Sequence, residues 1–156
     1  MKGYNNIKRV ETKSVMTKSN GPLGGYAVNP YVGCTLGCKY CYASFMKRFT
    51  GHQEEWGTFL DVKEWPEIKK PEKYAGQKVI IGTVTDGYIS QEETYGRTRK
   101  ILEELKDSGA DILICTKYDL VLRDMDLLKE INVKNRVDYF YHEEVRGTAN
   151  SGKRNR

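Results

Sequence analysis

Long apolar runs are missing from this sequence of 156 residues. No stretch approaches the roughly 20 consecutive apolar residues that a membrane-spanning helix needs. The basic start of the chain also lacks the apolar segment that follows in a secretory signal. The composition, with 38% hydrophobic and 30% charged residues, is typical of a globular domain with a core. We therefore expect a cytoplasmic protein without a membrane partner.

A strong excess of one charge sign is missing as well. The chain has 26 basic and 21 acidic residues, a net charge of +5, and the two signs are interspersed along most of the sequence. Proteins that bind nucleic acids usually concentrate their basic residues in a patch or stripe. The charge pattern therefore gives a nucleic-acid partner little support.

Regular structure is least expected at the two ends of the chain. Residues 20–25, NGPLGG, combine a proline with three glycines, so we expect residues 1–25 to form a flexible N-terminal segment. The polar end GTANSGKRNR has no hydrophobic period, which predicts a divergent, disordered tail at residues 133–156. The core domain is then expected at residues 26–132. As an alternative for part of the tail, VDYFY at 137–141 could pair as a further strand.

Strand and helix patterns alternate within the expected core domain. β-Branched and apolar runs predict strands at 26–32, 79–84 and 111–116, and a short one at 58–62. Helical patterns follow at 43–49, from a capping box at Ser90 to Gly109, and at 125–131 with Asp124 as its cap. This order predicts an α/β fold with a parallel sheet of about three βα units. Strand 111–116 would leave an edge open to self-association unless residues 137–141 pair with it.

Three of the four cysteines lie within eight residues: Cys34, Cys38 and Cys41. Their offsets of four and three would suit one face of a helix, but Gly33 and Gly37 favour a loop, and a loop of thiolates can wrap a metal. Zinc with Cys115 as a fourth ligand is an alternative, although structural zinc sites usually pair two C-x2-C units. A lone cysteine inside a predicted strand, such as Cys115, is more typical of a buried structural residue.

A 4Fe-4S cluster fits three thiolates and leaves one iron open for another ligand. The segment CTLGCKYCY at 34–42 fits the pattern C-x3-C-x-aromatic-C, with Tyr40 as the aromatic residue. On this motif the chain resembles the radical S-adenosylmethionine (SAM) superfamily. The segments NPYVGC, TDGY and TKYDLVLRD are similar to its spore photoproduct lyase-like branch, and within it to the mobile pair B proteins. The resemblance covers about residues 12–132.

The resemblance implies a partial radical SAM (βα) barrel that binds a 4Fe-4S cluster through the three clustered cysteines. It also implies a SAM molecule on the open iron, whose reductive cleavage gives a 5'-deoxyadenosyl radical. Carried over by position, the SAM-contacting residues are Tyr40, Tyr42, Thr85, Asp86 and Lys117. Thr83 stands where spore photoproduct lyases carry a hydrogen-donating cysteine, so repair of thymine dimers is not expected. The sequence identifies no catalytic residue and no substrate.

Three functions compete at this point. A radical SAM enzyme, or a fragment of one, would need a low-potential electron donor and could act with a paired radical SAM protein. An inactive metal- or iron-sulfur-binding fragment without a complete SAM pocket is the alternative, because about half of the family's six βα units are present. A nucleic-acid-binding module has only the net charge and two tryptophans in its favour.

Overall fold

A computed structural model describes residues 7–19, 24–35, 42–134, 137–143 and 151–155. The strands are β1 (Ile7–Glu11), β2 (Met16–Lys18), β3 (Tyr26–Val28), β4 (Tyr31–Gly33), β5 (Leu60–Glu64), β6 (Lys78–Ile81), β7 (Asp111–Thr116), β8 (Val137–Glu143) and β9 (Ser151–Asn155). The α-helices are α1 (Glu92–Tyr95), α2 (Arg97–Leu105) and α3 (Met125–Lys134). Short 3-10 helices span Tyr42–Phe49, Pro71–Tyr74 and Asp119–Asp124.

The strands form two sheets of mixed direction. The larger sheet has the order β2-β3-β6-β7-β8-β9, in which β3, β6, β7 and β8 are parallel and the outer strands β2 and β9 are antiparallel. The smaller sheet has the order β1-β5-β4, with β4 antiparallel to β5. The α/β class is confirmed, but the expectation of a purely parallel sheet is wrong. Neighbouring strands such as β2 and β3 are joined by a short connection, which only an antiparallel pair allows.

The predicted strand at 26–32 is divided between the two sheets. β3 pairs with β6 in the larger sheet, whereas β4 pairs with β5 in the smaller one. The break falls at Asn29 and Pro30, because proline has no backbone N–H to donate to a strand neighbour. The carbonyl of Pro30 instead accepts a hydrogen bond of 3.0 Å from the backbone of Lys63.

The core lies where α2 and α3 pack on the larger sheet. It contains buried aliphatic residues of both layers, among them Val79, Ile81, Ile101, Leu102, Leu105, Ile112, Ile114, Leu128 and Ile131. A second, smaller cluster lies on the other sheet and includes Tyr31, Cys34, Leu60, Val62 and Ile89. Within the described ranges, no helix is long and apolar enough to cross a bilayer.

The predicted helix that begins at Ser90 is interrupted at Gly96. This glycine has φ +59, a left-handed conformation that ends α1 before α2 begins. The expected capping box does not form, since Ser90 donates to the side chain of Gln91 at 3.2 Å and α1 has no side-chain cap. Asp124, the expected cap of α3, lies instead in a buried ion-pair network.

Regular structure extends beyond residues 26–132 at both ends. β1 and β2 lie in the segment expected to be flexible, and β8 and β9 lie in the segment expected to be disordered. β8 pairs with β7 over residues 137–141, so the alternative of a further strand is confirmed. The open edge of β7 explains this outcome, because its unpaired backbone groups favour another strand. The domain boundaries at 25 and 132 stay predictions.

Candidate functional site

The carboxyl ends of β3, β6 and β7 meet at one edge of the larger sheet because the three strands are parallel. Asn29 follows β3 and reaches the segment after β6. Its Oδ1 accepts hydrogen bonds from the backbone N–H groups of Val84 (3.0 Å) and Thr85 (3.3 Å), while its Nδ2 donates to Thr83 Oγ1 at 2.8 Å. Ligands of parallel α/β sheets bind at this edge. Asn29 thus fixes the loop that carries the predicted SAM contacts.

The cysteine segment starts beside this loop. Gly33 ends β4 with φ +86, and a Cβ there would lie 2.6 Å from the Phe59 ring, so only glycine fits before Cys34. Cys34 is buried and does not form a disulfide. Thr85 Oγ1 donates to the carbonyl of Tyr31 at 3.3 Å, which joins the loop after β6 to β4. Thr85 is therefore bonded to the strand that leads directly to the first predicted cluster ligand.

The other predicted members of the cysteine motif fall outside the described residues: Cys38, Tyr40 and Cys41. Tyr42 is described as the first residue of the 3-10 helix, and its side chain is not. Among the residues that the structure describes, no group of three or more His, Cys, Asp or Glu side chains could hold a metal ion. The three-cysteine ligand set stays a prediction.

Asp86 holds the loop after β6 against the end of β7. Its Oδ1 accepts hydrogen bonds from the backbone N–H of Tyr88 (2.8 Å) and the hydroxyl of Thr116 (2.6 Å), and its Oδ2 accepts from the backbone N–H of Lys117 (2.6 Å). Burial raises the pKa of this carboxyl, although the three donors oppose the shift. The structure brings Asp86 and Lys117 together, and their contacts with SAM stay predictions.

Cys115 lies on β7 behind the same loop. Gly82 has φ +93, and a Cβ there would lie 2.5 Å from the Cys115 carbonyl oxygen, so the loop backbone packs directly on β7. Cys115 is half-buried, whereas the sequence favoured a buried structural cysteine. Burial, and then the nearby carboxyl of Asp86, raise the pKa of its thiol. A metal ligand needs a thiolate, so this environment favours a structural cysteine.

A buried ion-pair network lies under the site. Glu92 and Asp124 are both fully buried. Arg123 Nη2 donates to Glu92 Oε2 at 2.7 Å and to Asp124 Oδ2 at 2.9 Å, and Arg99 Nη1 donates to Asp124 Oδ1 at 2.7 Å. Arg123 and Asp124 belong to the segment TKYDLVLRD, but no local pattern indicates that they pair with Glu92, which lies 31 residues before Arg123.

Two buried tyrosines connect this network to the site. Tyr31 on β4 donates its hydroxyl to Glu92 Oε1 at 2.5 Å, and Tyr88 donates to Asp124 Oδ2 at 3.0 Å. Burial, and then the adjacent carboxylates, raise the pKa of both tyrosines above the usual value. Both hydroxyls therefore remain protonated donors. Tyr31 supports the strand that leads to Cys34, and Tyr88 supports the loop that contains Asp86.

Residues 28–142 match the sequence profile of the Radical SAM superfamily. The chain belongs to the radical SAM superfamily. The matched region extends from the end of β3 into β8 and includes the cysteine motif, the loop after β6 and the buried network. Membership in the spore photoproduct lyase-like branch and similarity to the mobile pair proteins stay predictions.

Several curated relatives are similar over most of this chain. An uncharacterized protein of Methanocaldococcus jannaschii is 38% identical over 127 residues, which cover 81% of this chain and 48% of the relative. Uncharacterized proteins of Acidianus two-tailed virus and Mycobacterium bovis are 36% and 31% identical, covering 71% and 67% of this chain and 42% and 33% of their own lengths. The chain thus spans about half the length, or less, of these relatives. No solved structure matches the chain.

Proposed function

We propose that this protein binds a 4Fe-4S cluster through Cys34, Cys38 and Cys41 and binds SAM beside the cluster. Reductive cleavage of the SAM then produces the radical that acts on a substrate. The observation that supports this best is the placement of Cys34. It follows β4 directly, and Thr85 from the loop after β6 is hydrogen-bonded to the same strand. The expected SAM-binding loop, at the edge where parallel sheets bind ligands, is thus bonded to the strand that leads to the first thiol, which supports a shared site.

The three cysteine thiols are chemically suitable ligands for the cluster. Iron-sulfur clusters are bound by cysteine thiolates, and the three proposed ligands lie within one segment of eight residues that begins at the buried Cys34, which is not in a disulfide. Cys115 lies outside this segment of the sequence, and burial raises the pKa of its thiol, which disfavours the thiolate that a ligand needs. When bound, the cluster and SAM supply radical chemistry, while the protein provides binding, orientation and a shielded pocket.

The residues of the chain would hold SAM from several sides. Asn29 and Asp86 fix the loop after β6 from both of its flanks, which presents Thr85 beside β4. Tyr40 and Tyr42 would supply aromatic contacts to the adenine. The ammonium group of Lys117 would bind a carboxylate or ribose oxygen of SAM.

A low-potential electron donor and a paired radical SAM protein are the partners we propose.

Replacement of single cysteines tests the proposed ligand set. After anaerobic reconstitution with iron and sulfide, we expect Cys34→Ala, Cys38→Ala and Cys41→Ala to lose the brown chromophore and most of the bound iron. Cys115→Ala is the matched control and should retain both. Visible absorbance and iron counting provide the readout. Equal losses in Cys115→Ala and Cys38→Ala would contradict the three-ligand assignment.

Binding of SAM separates the proposed enzyme from the inactive alternative. Equilibrium dialysis of the reconstituted protein with labelled SAM should show one SAM molecule bound per protein. The Lys117→Ala variant should bind SAM more weakly. 5'-Deoxyadenosine formed after reduction is then measured separately. A protein that holds iron but does not bind SAM would be an iron-sulfur fragment without a complete SAM pocket.

A further inference from the structure

The 3-10 helix Tyr42–Phe49 exposes two aromatic side chains to solvent. Phe45 is 50% exposed and Phe49 is 67% exposed, and together with Leu122 they are the large apolar side chains that stand out on the described surface. The guanidinium of Arg48 lies over both rings, 5.9 Å from the centre of Phe45 and 4.7 Å from that of Phe49. Exposed aromatic residues next to an arginine are the typical anchors of protein interfaces.

Two basic residues accompany these rings. Lys47 and Arg48 lie in the last turn of the helix, whose sequence YASFMKRF contains no acidic residue. A shallow depression of about 530 Å³ adjoins the helix, and its described lining residues are Phe45, Lys47, Arg48, Gly51, His52 and Gln53. The ring of His52 is paired with Glu54 at 2.9 Å and Asp61 at 2.8 Å, so the cations that face a partner are Lys47 and Arg48. We call Phe45, Lys47, Arg48 and Phe49 the aromatic-basic surface. It is complementary to an acidic partner that offers an apolar contact.

The covalent chain places this surface close to the proposed cluster. The helix begins at Tyr42, the residue after Cys41, and Phe45 is only four residues from that cysteine. Since a chain spans at most about 3.6 Å per residue, the Cα atoms of Cys41 and Phe45 are no more than about 14 Å apart. A protein that docks on the aromatic-basic surface is therefore brought near the cysteine segment.

We propose that the aromatic-basic surface is the docking site for an acidic one-electron carrier protein. This inference rests on the proposed function, because only a redox group at the cysteine segment requires such a partner. In the step it serves, the carrier is oxidised by one electron and the cluster is reduced by one, and no bond is formed or broken between the two proteins. Charge complementarity steers the encounter, and the two phenylalanine rings provide the apolar contact.

An acidic protein fits this surface better than a nucleic acid does. Lys47 and Arg48 are the cations of the helix, whereas proteins that bind nucleic acids usually neutralise several phosphates along a basic stripe. Most of the other basic residues are interspersed with acidic ones along the sequence. The two rings also pack against Arg48 itself, as in a compact protein contact.

Binding to an acidic flavodoxin tests the proposal. The full chain, without reconstitution, is titrated into labelled flavodoxin and followed by fluorescence anisotropy at low and high salt. We expect Arg48→Glu to weaken binding by about tenfold or more and to reduce its salt dependence, as truncation of interface anchors does. Phe49→Ser should weaken binding with the salt dependence retained. Lys69→Glu, the same charge change at an exposed lysine elsewhere, is the matched control and should bind like the wild type.

Reduction of the reconstituted protein separates this proposal from the proposed function. Dithionite should reduce the wild type and Arg48→Glu equally, whereas reduced flavodoxin should reduce Arg48→Glu more slowly. A protein with no dithionite-reducible cluster would contradict the proposed function and leave the binding result to decide the docking surface.

Equal flavodoxin binding by the wild type, Arg48→Glu and Phe49→Ser would overturn the docking proposal. Arg48-dependent binding of single-stranded DNA without binding of flavodoxin would overturn it in favour of a nucleic acid.

Discussion

Gly82 shows how one residue shapes the candidate site. Its positive φ requires glycine, and its backbone lies so close to β7 that a side chain would meet the Cys115 carbonyl. Gly76 also has a positive φ, +74, but a Cβ there would have nothing within 4 Å. The two glycines therefore share the same conformational demand and differ in the space around them.

Alanine at each glycine separates these two effects. The left-handed conformation should cost both variants about 1–2 kcal/mol of unfolding free energy. Gly82→Ala should lose about 1–3 kcal/mol more than Gly76→Ala, because the added methyl group forces the loop away from β7. Urea denaturation of the two variants and the wild type measures the difference. Equal losses would show that the loop can move from β7 without cost.

Single residues differ in how far the sequence predicts them. Thr85 and Asp86 are predictable, since they follow a strong strand pattern and ligands bind at the carboxyl ends of parallel strands. Asn29 and Glu92 are not, because their roles depend on partners 55 and 31 residues away. An Asn before a proline at the end of a strand indicates a turn, and only the fold shows which loop it contacts.

The buried network is the main feature at the scale of elements. It joins α1 through Glu92, α2 through Arg99 and the 3-10 helix Asp119–Asp124 through Arg123 and Asp124. Removal of one partner would leave a buried charge without compensation, and such losses are strongly destabilising. The stability of the whole helical layer therefore depends on Arg123.

Arg123→Ala should lower the free energy of unfolding by about 3–5 kcal/mol, the range found when a buried ion pair is broken. Lys106→Ala is the control, since Lys106 pairs with Glu130 at 3.4 Å on the surface and should contribute about 0–1 kcal/mol. Chemical denaturation provides both values. Similar losses in the two variants would mean that water compensates the charges of Glu92 and Asp124.

Element boundaries are predicted less well than the elements themselves. The run VIIGTV predicts a strand at 79–84, but β6 ends at Ile81 because Gly82 turns the chain and Asn29 binds the residues that follow. Residues 83 and 84 are apolar or β-branched and continue the pattern of the strand. Hydrophobic periodicity reports burial, and it does not distinguish a buried strand from a buried loop.

The pairing of β7 is the main feature at the scale of the whole molecule. β7 lies between β6 and β8, so the open edge expected from the sequence is closed by residues 137–141 of the same chain. The expected self-association depended on that open edge. A parallel neighbour that covers it removes the reason for association through β7.

A chain that ends at residue 136 should therefore associate. Light scattering across protein concentration should show dimers or larger species for the shortened chain, and Leu113→Lys in that chain should reduce them by placing a charge on the exposed edge. In the full chain, hydrogen exchange should show protected amides in both 111–116 and 137–141. A shortened chain that stays monomeric would show that β7 tolerates an open edge.

The parallel centre of the fold is predictable from the sequence, whereas its margins are not. β6, α2 and β7 follow from clear hydrophobic patterns. The marginal strands β1, β2 and β9 are short or polar segments. They form strands only by pairing with strands from elsewhere in the chain. Strand propensity depends strongly on such neighbours, so local patterns cannot predict these margins.

The break between β3 and β4 has a consequence for ligand binding. The larger sheet carries the loop with Thr85, the smaller sheet carries the segment with Cys34, and Asn29 and Pro30 are the chain that joins β3 to β4. The ends of the two strands, Val28 and Tyr31, are three residues apart in sequence and at most about 11 Å apart in space, so this joint leaves the two sheets little slack. A ligand that contacts both sheets meets two surfaces whose spacing was fixed when the chain folded. The conformational entropy of fixing that spacing is lost on folding, so ligand binding does not carry this cost.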